Sequence, residues 1–556
     1  MYMEMEEVAF KPQAFERVAE SLGTLGQDVQ EIYQTKGMKG LEAIPGVGKG
    51  IAEKIEEYLK TGKVKEYEQY RKKIPVDIES LTAVEGVGVK MVQELWEKLK
   101  IKNLKDLEKS VRTGKVAAIP GFGKKTQENI LEGIAFLKKS EGRWLLGDIY
   151  PVAQRYVEEL KDSGLVQQAV PAGSLRRMKE TIGDIDILVT TEHPEKVMDF
   201  FVQMVPHEKI WGKGKTKASV RSKEGFDVDV RVVEEKVFGA ALQYFTGSKE
   251  HNVKVRTLAV KKGLKLSEYG LFQGKKLIAC KTEKEVYKAL GMQYPEPELR
   301  EDQGEVEAAL QGKLPRTIPY GSLKGDLQVQ TNWTDGKHSI EEMAKEAKKQ
   351  GLKYIAITDH TKDLPMTGGA DEKKLLLQMA EIDRLQKKIS GIAILKGAEV
   401  NIRKDGSLDI ADEVLAKLDV VGIAVHSLFR MTKKDMTERI VRAMRNPHAD
   451  ILFHPTGRIL LRRNAYEVDM ERIIDEAKKT RTVLEANAAS VRLDLKDTDI
   501  RKAVKAGVML IINSDAHNKI HFEFLKYGIA QARRGWATES DVINTLPVKQ
   551  FLKTLK

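Results

Sequence analysis

The chain has 556 residues and one cysteine, Cys280. No internal disulfide can form, so stability must come from packed cores, and the composition fits a reducing cytosol. No apolar run approaches the ~20 residues of a membrane span. The opening Met1-Tyr-Met-Glu-Met-Glu-Glu7 lacks the basic-then-apolar order of a secretory signal. A strong excess of one charge is also missing. Lys+Arg against Asp+Glu stand 53 to 49 over residues 1–320 and 41 to 33 after it, for a net +12. That balance admits nucleic acid as a partner without selecting it. Histidine is scarce in the first part: only His193, His207 and His251 precede residue 320, and seven of the ten follow. The asymmetry points to two chemistries in one chain. What is present, 41% hydrophobic and 32% charged residues, describes a soluble globular protein of roughly three to five domains.

The stretch Ala172-Gly-Ser-Leu-Arg-Arg-Met-Lys-Glu-Thr-Ile-Gly-Asp-Ile-Asp-Ile-Leu-Val189 carries the first chemistry. Ile185–Val189 reads as a β-strand entered through a turn at Gly183. Alternate strand residues share a face, so Asp184 and Asp186 project together while Ile185 and Ile187 face the core. Paired carboxylates repel unless a hard cation lies between them, and Mg²⁺ with substrate phosphates suits that geometry. Upstream, Gly173, Ser174, Arg176 and Arg177 offer amide, hydroxyl and guanidinium groups to phosphate oxygens. The stretch resembles the palm signature of the nucleotidyltransferase superfamily. Downstream, Gly225-Phe-Asp-Val-Asp-Val-Arg-Val-Val233 alternates strictly, with Asp227, Asp229 and Arg231 on one face. In family X DNA polymerases the third carboxylate precedes an apolar residue and then arginine. That resemblance implies Asp229, with Asp227 the alternative. Tyr244-Phe-Thr-Gly-Ser248, which unaided reads as a strand end and turn, is similar to the family's thumb motif. The resemblance implies nucleotide-side roles for Tyr244, Phe245, Gly247, Asn252 and Arg256. Lys249 stands where beta-type enzymes have aspartate.

The first third is helical in pattern and repeats one frame: Ile44-Pro-Gly46-Val-Gly48-Lys49, Val84-Glu-Gly86-Val-Gly88 and Ile119-Pro-Gly121-Phe-Gly123-Lys124, each before an amphipathic helix. Glycines around an apolar residue bring bare N–H groups to a helix N-terminus, where an anion is favoured. Such contacts read DNA phosphates without reading sequence. The repeats resemble helix-hairpin-helix motifs. Gly46–Leu59 also resembles the amino-terminal lyase domain of beta-type polymerases. This implies that Lys54 is the Schiff-base lysine able to attack an abasic aldehyde. By its own sequence context Lys54 is a helix lysine beside Glu53 and Glu57.

Residues 296–318 are acidic and bear prolines, which predicts a linker, with a short helix available at Glu305–Leu310. Beyond it, short apolar strands alternate with amphipathic helices, predicting a parallel β/α barrel of seven or eight strands. Asp359-His360, Glu399, His426, His454, Glu485-Ala-Asn487 and Asp515-Ala-His517 cluster just past strand ends, where such barrels place chemistry. The set resembles the PHP (polymerase and histidinol phosphatase) domain, a trinuclear metal phosphoesterase. The resemblance implies Asp335, His360, Glu399, His426, His454, Asp515 and His517 as ligands of Mn²⁺ or Zn²⁺. His448 and His521 match nothing and are expected on the surface, and His338 is unassigned. One departure is clear: the motif that normally reads His-x-His is Gln328-Val-Gln330 here. An amide binds these ions far less readily than imidazole.

The expected fold is multidomain: helix-hairpin-helix domains, an α+β nucleotidyltransferase palm and thumb, and a C-terminal β/α barrel. The expected boundaries are 1–75 (lyase-like), 76–145 (DNA-binding fingers), 146–235 (palm), 236–295 (thumb), 296–318 (linker) and 319–556 (PHP). The expected function is a bacterial- or archaeal-type family X DNA polymerase that fills gaps in DNA repair. Gapped or primer-template DNA and dNTPs are its partners, and it is a monomer in the cytoplasm, at the nucleoid. The alternatives are a PHP nuclease docked by a polymerase-like module and a non-catalytic DNA-end scaffold.

Overall fold

The computed structural model describes residues 11–23, 29–44, 46–140 and 142–555. Its chain divides into two compact units, residues 1–141 with 461–463, and 142–460 with 464–556.

The first unit is helical, and the glycine frame builds the same turn three times. Gly46, Gly86 and Gly121 have φ of 82°, 83° and 88°, a left-handed conformation that a side chain disfavours. Each frame is closed by one backbone bond: Val47 to Ile44, Val87 to Val84, Phe122 to Ile119. Helices α1 (Lys49–Thr61), α2 (Val89–Leu99) and α3 (Lys124–Ser140) follow. Gly48 and Gly88 cap the first two with no side-chain partner for the end amides. A Cβ built on Gly48, Gly88, Gly121 or Gly123 meets nothing within 4 Å. The hairpin tips are therefore open. Pro45 of the first frame lies outside the described residues.

The second unit begins with a five-stranded sheet: β1 (Gln168–Pro171), β2 (Asp184–Thr190), β3 (His207–Lys213), β4 (Lys217–Ser222) and β5 (Asp227–Val232), in the order β1-β2-β5-β4-β3. The β2 and β5 strands pair in parallel with Asp184 opposite Asp227 and Asp186 opposite Asp229. Ile185, Ile187, Val228 and Val230 fill the core beneath them.

Next come α4 (Phe238–Thr246) and α5 (Lys249–Lys261). The Tyr244–Ser248 stretch, expected as a strand end and turn, is instead the last turn of α4 and its exit. Ala240, Ala241 and Leu242 are buried in α4, and Gly247 at φ 72° ends it.

The C-terminal part is a parallel sheet of seven strands in sequence order: β6 (Gly325–Val329), β7 (Tyr354–Ile357), β8 (Ala393–Asn401), β9 (Val420–Ala424), β10 (Ile451–Leu452), β11 (Val483–Asn487) and β12 (Leu510–Asn513). A parallel bridge from Val329 to Ala516 brings its first edge to its last, so the sheet is a nearly closed barrel. Strands buried on both faces read as continuous apolar runs, as Tyr354–Ile357 and Val420–Ala424 do.

The 296–318 segment is folded rather than a bare linker. Helix Glu305–Leu310 packs Val306 and Ala309 into the same core as Val286 and Leu290. Its acidic residues are matched by arginines. Glu298 pairs with Arg533 at 2.8 Å, and Glu301 with Arg177 at 2.9 Å and Arg534 at 3.0 Å. Both arginines end helix α6 (Leu525–Arg534) of the barrel, so the segment is bound to the palm and the barrel at once.

Candidate active sites of the palm and the barrel

In the palm, the parallel register sets Asp186 beside Asp229, with Asp184 one step along the same face. Burial, then the charges of Asp184 and Asp229, push the Asp186 carboxyl up to about 7. Asp184 is raised by burial and by Asp229. This is the electrostatic state of a carboxylate set that lacks enough counter-charge. Asp229 accepts from the Ser219 hydroxyl and lies 2.8 Å from Lys217 Nζ. Asp227, the alternative third carboxylate, is turned to Trp211 Nε1 at 2.8 Å and Arg221 at 3.2 Å. A cavity of about 140 Å³ is lined by Asp186, Asp229, Lys217, Arg231 and Phe245, so Asp229 and not Asp227 shares it with Asp186.

Gly173 lies against this site. It has φ 59°, a conformation that disfavours a side chain, and a Cβ there would sit 2.4 Å from Asp186 Oδ2 and push that carboxylate aside. The adjacent guanidiniums are already engaged. Arg176 binds Glu283 through two nitrogens, and Arg177 binds Glu301 and the Thr246 carbonyl. On α4, Tyr244 and Phe245 form an edge-to-face pair with centroids 5.1 Å apart. Asn252 is held by Gln243 at 2.7 Å and donates to the Tyr244 carbonyl at 2.7 Å. Arg256 lies 5.8 Å from the Tyr244 ring. Lys217 and Ser219 were missed by sequence reasoning. Their signal is Lys217-x-Ser219 on a strand antiparallel to β5, facing Asp229.

In the barrel, seven expected ligands converge at the strands' C-terminal ends. Asp335 Oδ2 lies 3.6 Å from His360 Nε2 and 3.6 Å from His517 Nε2. Glu399 Oε1 lies 2.9 Å from His426 Nε2 and 2.8 Å from His454 Nε2. Asp515 Oδ1 is 3.7 Å from His517 Nδ1. Burial would raise the Glu399 carboxyl, but the imidazoles of His360, His426 and His454 hold it well below the usual range. His517 is pushed up to about 9: burial opposes this, and Asp335 and Asp515 overcome it. The ring nitrogens His360 Nδ1 and His454 Nδ1 are buried without a hydrogen-bond partner. Buried, unsatisfied imidazole nitrogens beside carboxylates form a donor set that fits divalent metal ions. His521, expected on the surface, is half-buried. Its Nδ1 faces the His517 amide at 3.3 Å, and burial followed by the charge of His517 lowers it to about 4. His448 is half-buried as well, and His338 lies 3.3 Å from Asn518.

In the first unit, Lys54 is paired with Glu66 at 2.5 Å rather than with its helix neighbours Glu53 and Glu57, and Glu57 accepts from the Lys65 amide. Lys54 and Glu66 line a cavity of about 1080 Å³ with Tyr67, Tyr70 and Arg71.

Four family descriptions match the chain: a helix-hairpin-helix domain over 1–64, a SAM-like helix-hairpin-helix tandem over 78–135, the DNA polymerase beta thumb over 241–301, and a PHP domain over 326–488. Among similar curated proteins is the DNA polymerase/3′-5′ exonuclease PolX of Bacillus subtilis (strain 168). It is 35% identical over 561 residues, covering 100% of this chain and 97% of that protein. A "probable phosphatase" of Thermoanaerobacter sp. (strain X514) is 32% identical over 249 residues, covering 42% of this chain and 97% of its own length. The full-length match, the thumb, the tandem hairpins and the PHP barrel agree: the chain belongs to the PolX family, the family X DNA polymerases that carry a C-terminal PHP domain.

Proposed function

We propose that the chain is a template-directed DNA polymerase that fills short gaps during DNA repair, with a PHP barrel acting as a Mn²⁺-dependent 3′–5′ exonuclease. The observation that carries the polymerase reading is the side-by-side register of Asp186 and Asp229, beside a Gly173 where a side chain would press on the Asp186 carboxylate. Asp184, Asp186 and Asp229 are the residues to hold Mg²⁺. Bound there, divalent ions lower the pKa of a primer 3′-hydroxyl and neutralise charge at the reacting phosphate.

The protein's own groups do the positioning. Gly173 leaves the Asp186 carboxylate uncovered, and Ser174 offers a hydroxyl to phosphate oxygens. Tyr244 and Phe245 form the sugar-side wall, where bulk discriminates nucleotides, and Asn252 and Arg256 face the nucleotide and the template edge. Arg177, tied to Glu301 and Thr246, acts on the turn at Gly247 and so fixes that wall to the palm loop. Lys217 offsets part of the charge on Asp229 without relieving Asp186. The hairpin tips at Gly46, Gly48, Gly86, Gly88, Gly121 and Gly123 present open backbone to DNA phosphates, and Lys54 is the candidate 5′-deoxyribose phosphate lyase nucleophile. In the barrel, Asp335, His360, Glu399, His426, His454, Asp515 and His517 hold Mn²⁺ or Zn²⁺.

A nuclease that only docks DNA through a polymerase-like module would not need three converging palm carboxylates. DNA and dNTPs are the substrates, and the enzyme works as a monomer in the cytoplasm, at the nucleoid. Primer extension across a one-nucleotide gap with Mg²⁺ and dNTPs tests this. Incorporation by the wild type and its loss in Asp229→Ala are expected; no incorporation by the wild type, or full incorporation by Asp229→Ala, contradicts it. For Lys54, borohydride trapping to abasic DNA should disappear in Lys54→Ala.

A further inference from the structure

The barrel's ligands fall into three overlapping groups, linked by His360, whose Nδ1 lies 3.6 Å from Glu399 Oε2. One is Asp335, His360 and His517, whose ligand atoms lie within 4.8 Å of one another. A second is His360, Glu399 and His426, whose ligand atoms likewise lie within 4.8 Å of one another, with His454 Nε2 2.8 Å from the Glu399 Oε1 that also meets His426. The third lies between the other oxygen of Glu399 and Asp515, where the Gln328-x-Gln330 strand end stands.

In that third group the protein itself supplies the positive ends. Gln330 Nε2 donates to Glu399 Oε2 at 2.7 Å, and Gln328 Nε2 donates to the same oxygen at 3.1 Å. The Gln328 amide is fixed from its far side too, because Asn487 Nδ2 donates to Gln328 Oε1 at 3.0 Å. Asn487 also reaches Asp515 Oδ2 at 3.2 Å, and Arg492 Nε lies 3.3 Å from that same oxygen. Gln328, Gln330, Glu399 and Asn487 are fully buried. The Glu399–Asp515 pair that a cation would bridge is thus already met by three amides and a guanidinium, with Gln330 Oε1 the one buried oxygen there without a partner among the described residues. Neither Gln328 nor Gln330 contributes an imidazole nitrogen, and a divalent ion placed there would stand beside the buried-side charge of Arg492, a repulsion that low local dielectric strengthens. Turning the Gln328 amide to present its oxygen would also break its bond from Asn487.

We propose that this barrel binds two divalent ions per chain, at Asp335–His360–His517 and at Glu399–His426–His454. The third position, between Glu399 Oε2 and Asp515, is filled by Gln328, Gln330 and Arg492. The inference rests on the reading of the barrel as a metal-dependent site, and it specifies how many ions that site takes and where. Two ions suffice in principle for phosphodiester hydrolysis, since paired metals can serve the attacking and leaving oxygens.

Ion counting tests it without reference to activity. The full chain carrying Asp184→Ala and Asp186→Ala, which remove palm ligands, is equilibrated with Mn²⁺, desalted, and its Mn-to-protein ratio measured by mass spectrometry. The expected ratio is two. Adding Gln328→His, Gln330→His and Arg492→Gln should raise it to three. Should that variant fail to fold, as judged by circular dichroism and thermal melting, the count in the chain with its native barrel decides alone. Three ions there overturn this inference while leaving the metal-dependent reading intact. A ratio of zero overturns both. A folded triple variant that still counts two overturns the assignment of Gln328, Gln330 and Arg492 as the residues that close the third position.

Discussion

The palm and the barrel both gather carboxylates at the ends of parallel strands, yet they balance the charge in opposite ways. In the palm, burial and the neighbouring charges of Asp184 and Asp229 push Asp186 up to about 7. In the barrel, Glu399 is buried more deeply than the half-buried Asp186 but receives two imidazoles and two amides, and its carboxyl is held low. A carboxylate group that the protein leaves short of counter-charge is poised for cations from solution. One whose second oxygen is met by side-chain amides, as Glu399 Oε2 is, has less need of a cation on that side.

The largest effect that would break this contrast is on the palm. Asp186→Ala or Asp229→Ala should reduce gap filling by on the order of 10³-fold, about 4 kcal/mol of barrier, with exonuclease rates unchanged. Steady-state incorporation assays read this directly, and a loss below tenfold would mean that the raised carboxylates are not the ion site.

The next concerns how the two regions are joined. The Arg534 side chain is 2% exposed and binds Glu301, Asp497 and the Arg177 carbonyl. Arg534→Ala leaves two carboxylates without their buried partner, with a stability loss of about 3–5 kcal/mol expected in urea unfolding. Because the Arg177 loop is released, KM for dNTP should rise more than kcat falls. A variant with native stability would show that the barrel does not brace the palm.

Within the barrel, His454→Ala removes one of the two imidazoles on Glu399 Oε1. Exonuclease activity on a single-stranded 3′ end should drop by about 100-fold, with primer extension unaltered.

The smallest effect sharpens the electrostatic side of the comparison. Asp186 has a folded-state value of about 7 against 3.8 for the free side chain. Over that interval the native state binds more protons than the unfolded one, so metal-free stability falls as pH rises from about 4 to 7. Asp186→Asn removes this slope and should stabilise the metal-free protein at pH 8 by on the order of 1–3 kcal/mol, read from melts in chelator at pH 5 and pH 8. A slope unchanged by the substitution would place the destabilising charge elsewhere.

Much of this was legible in the sequence because periodicity carries it. Strict alternation placed Asp184 with Asp186 and Asp227 with Asp229, the family resemblance pointed to Asp229, and the strand register sets it beside Asp186; the repeated glycine frame marked three turns that the backbone then repeats bond for bond. Strand-end histidines located the barrel site without its strands being exact: β10 has two residues, too few for a pattern, and β8 runs on to Asn401 beyond the apolar run that announced it. Tyr244–Ser248 misled because aromatic and β-branched residues favour strands locally, whereas packing of Ala240 to Leu242 makes that segment helical. The 296–318 segment misled because acidic, Pro-bearing composition signals a linker only when its charges are solvated. Here Arg533 and Arg534, more than 200 residues away, neutralise them. Lys54 shows the reverse limit: its helix neighbours suggested partners, and the chain supplied Glu66 from the next helix instead.

The most direct test of two independent sites uses one gapped duplex with a labelled primer, incubated with Mg²⁺ and dNTPs or with Mn²⁺ alone, against Asp184→Ala and His360→Ala. The account predicts that Asp184→Ala abolishes extension and spares shortening of the primer, while His360→Ala abolishes shortening and spares extension. Loss of both activities in either variant would contradict it.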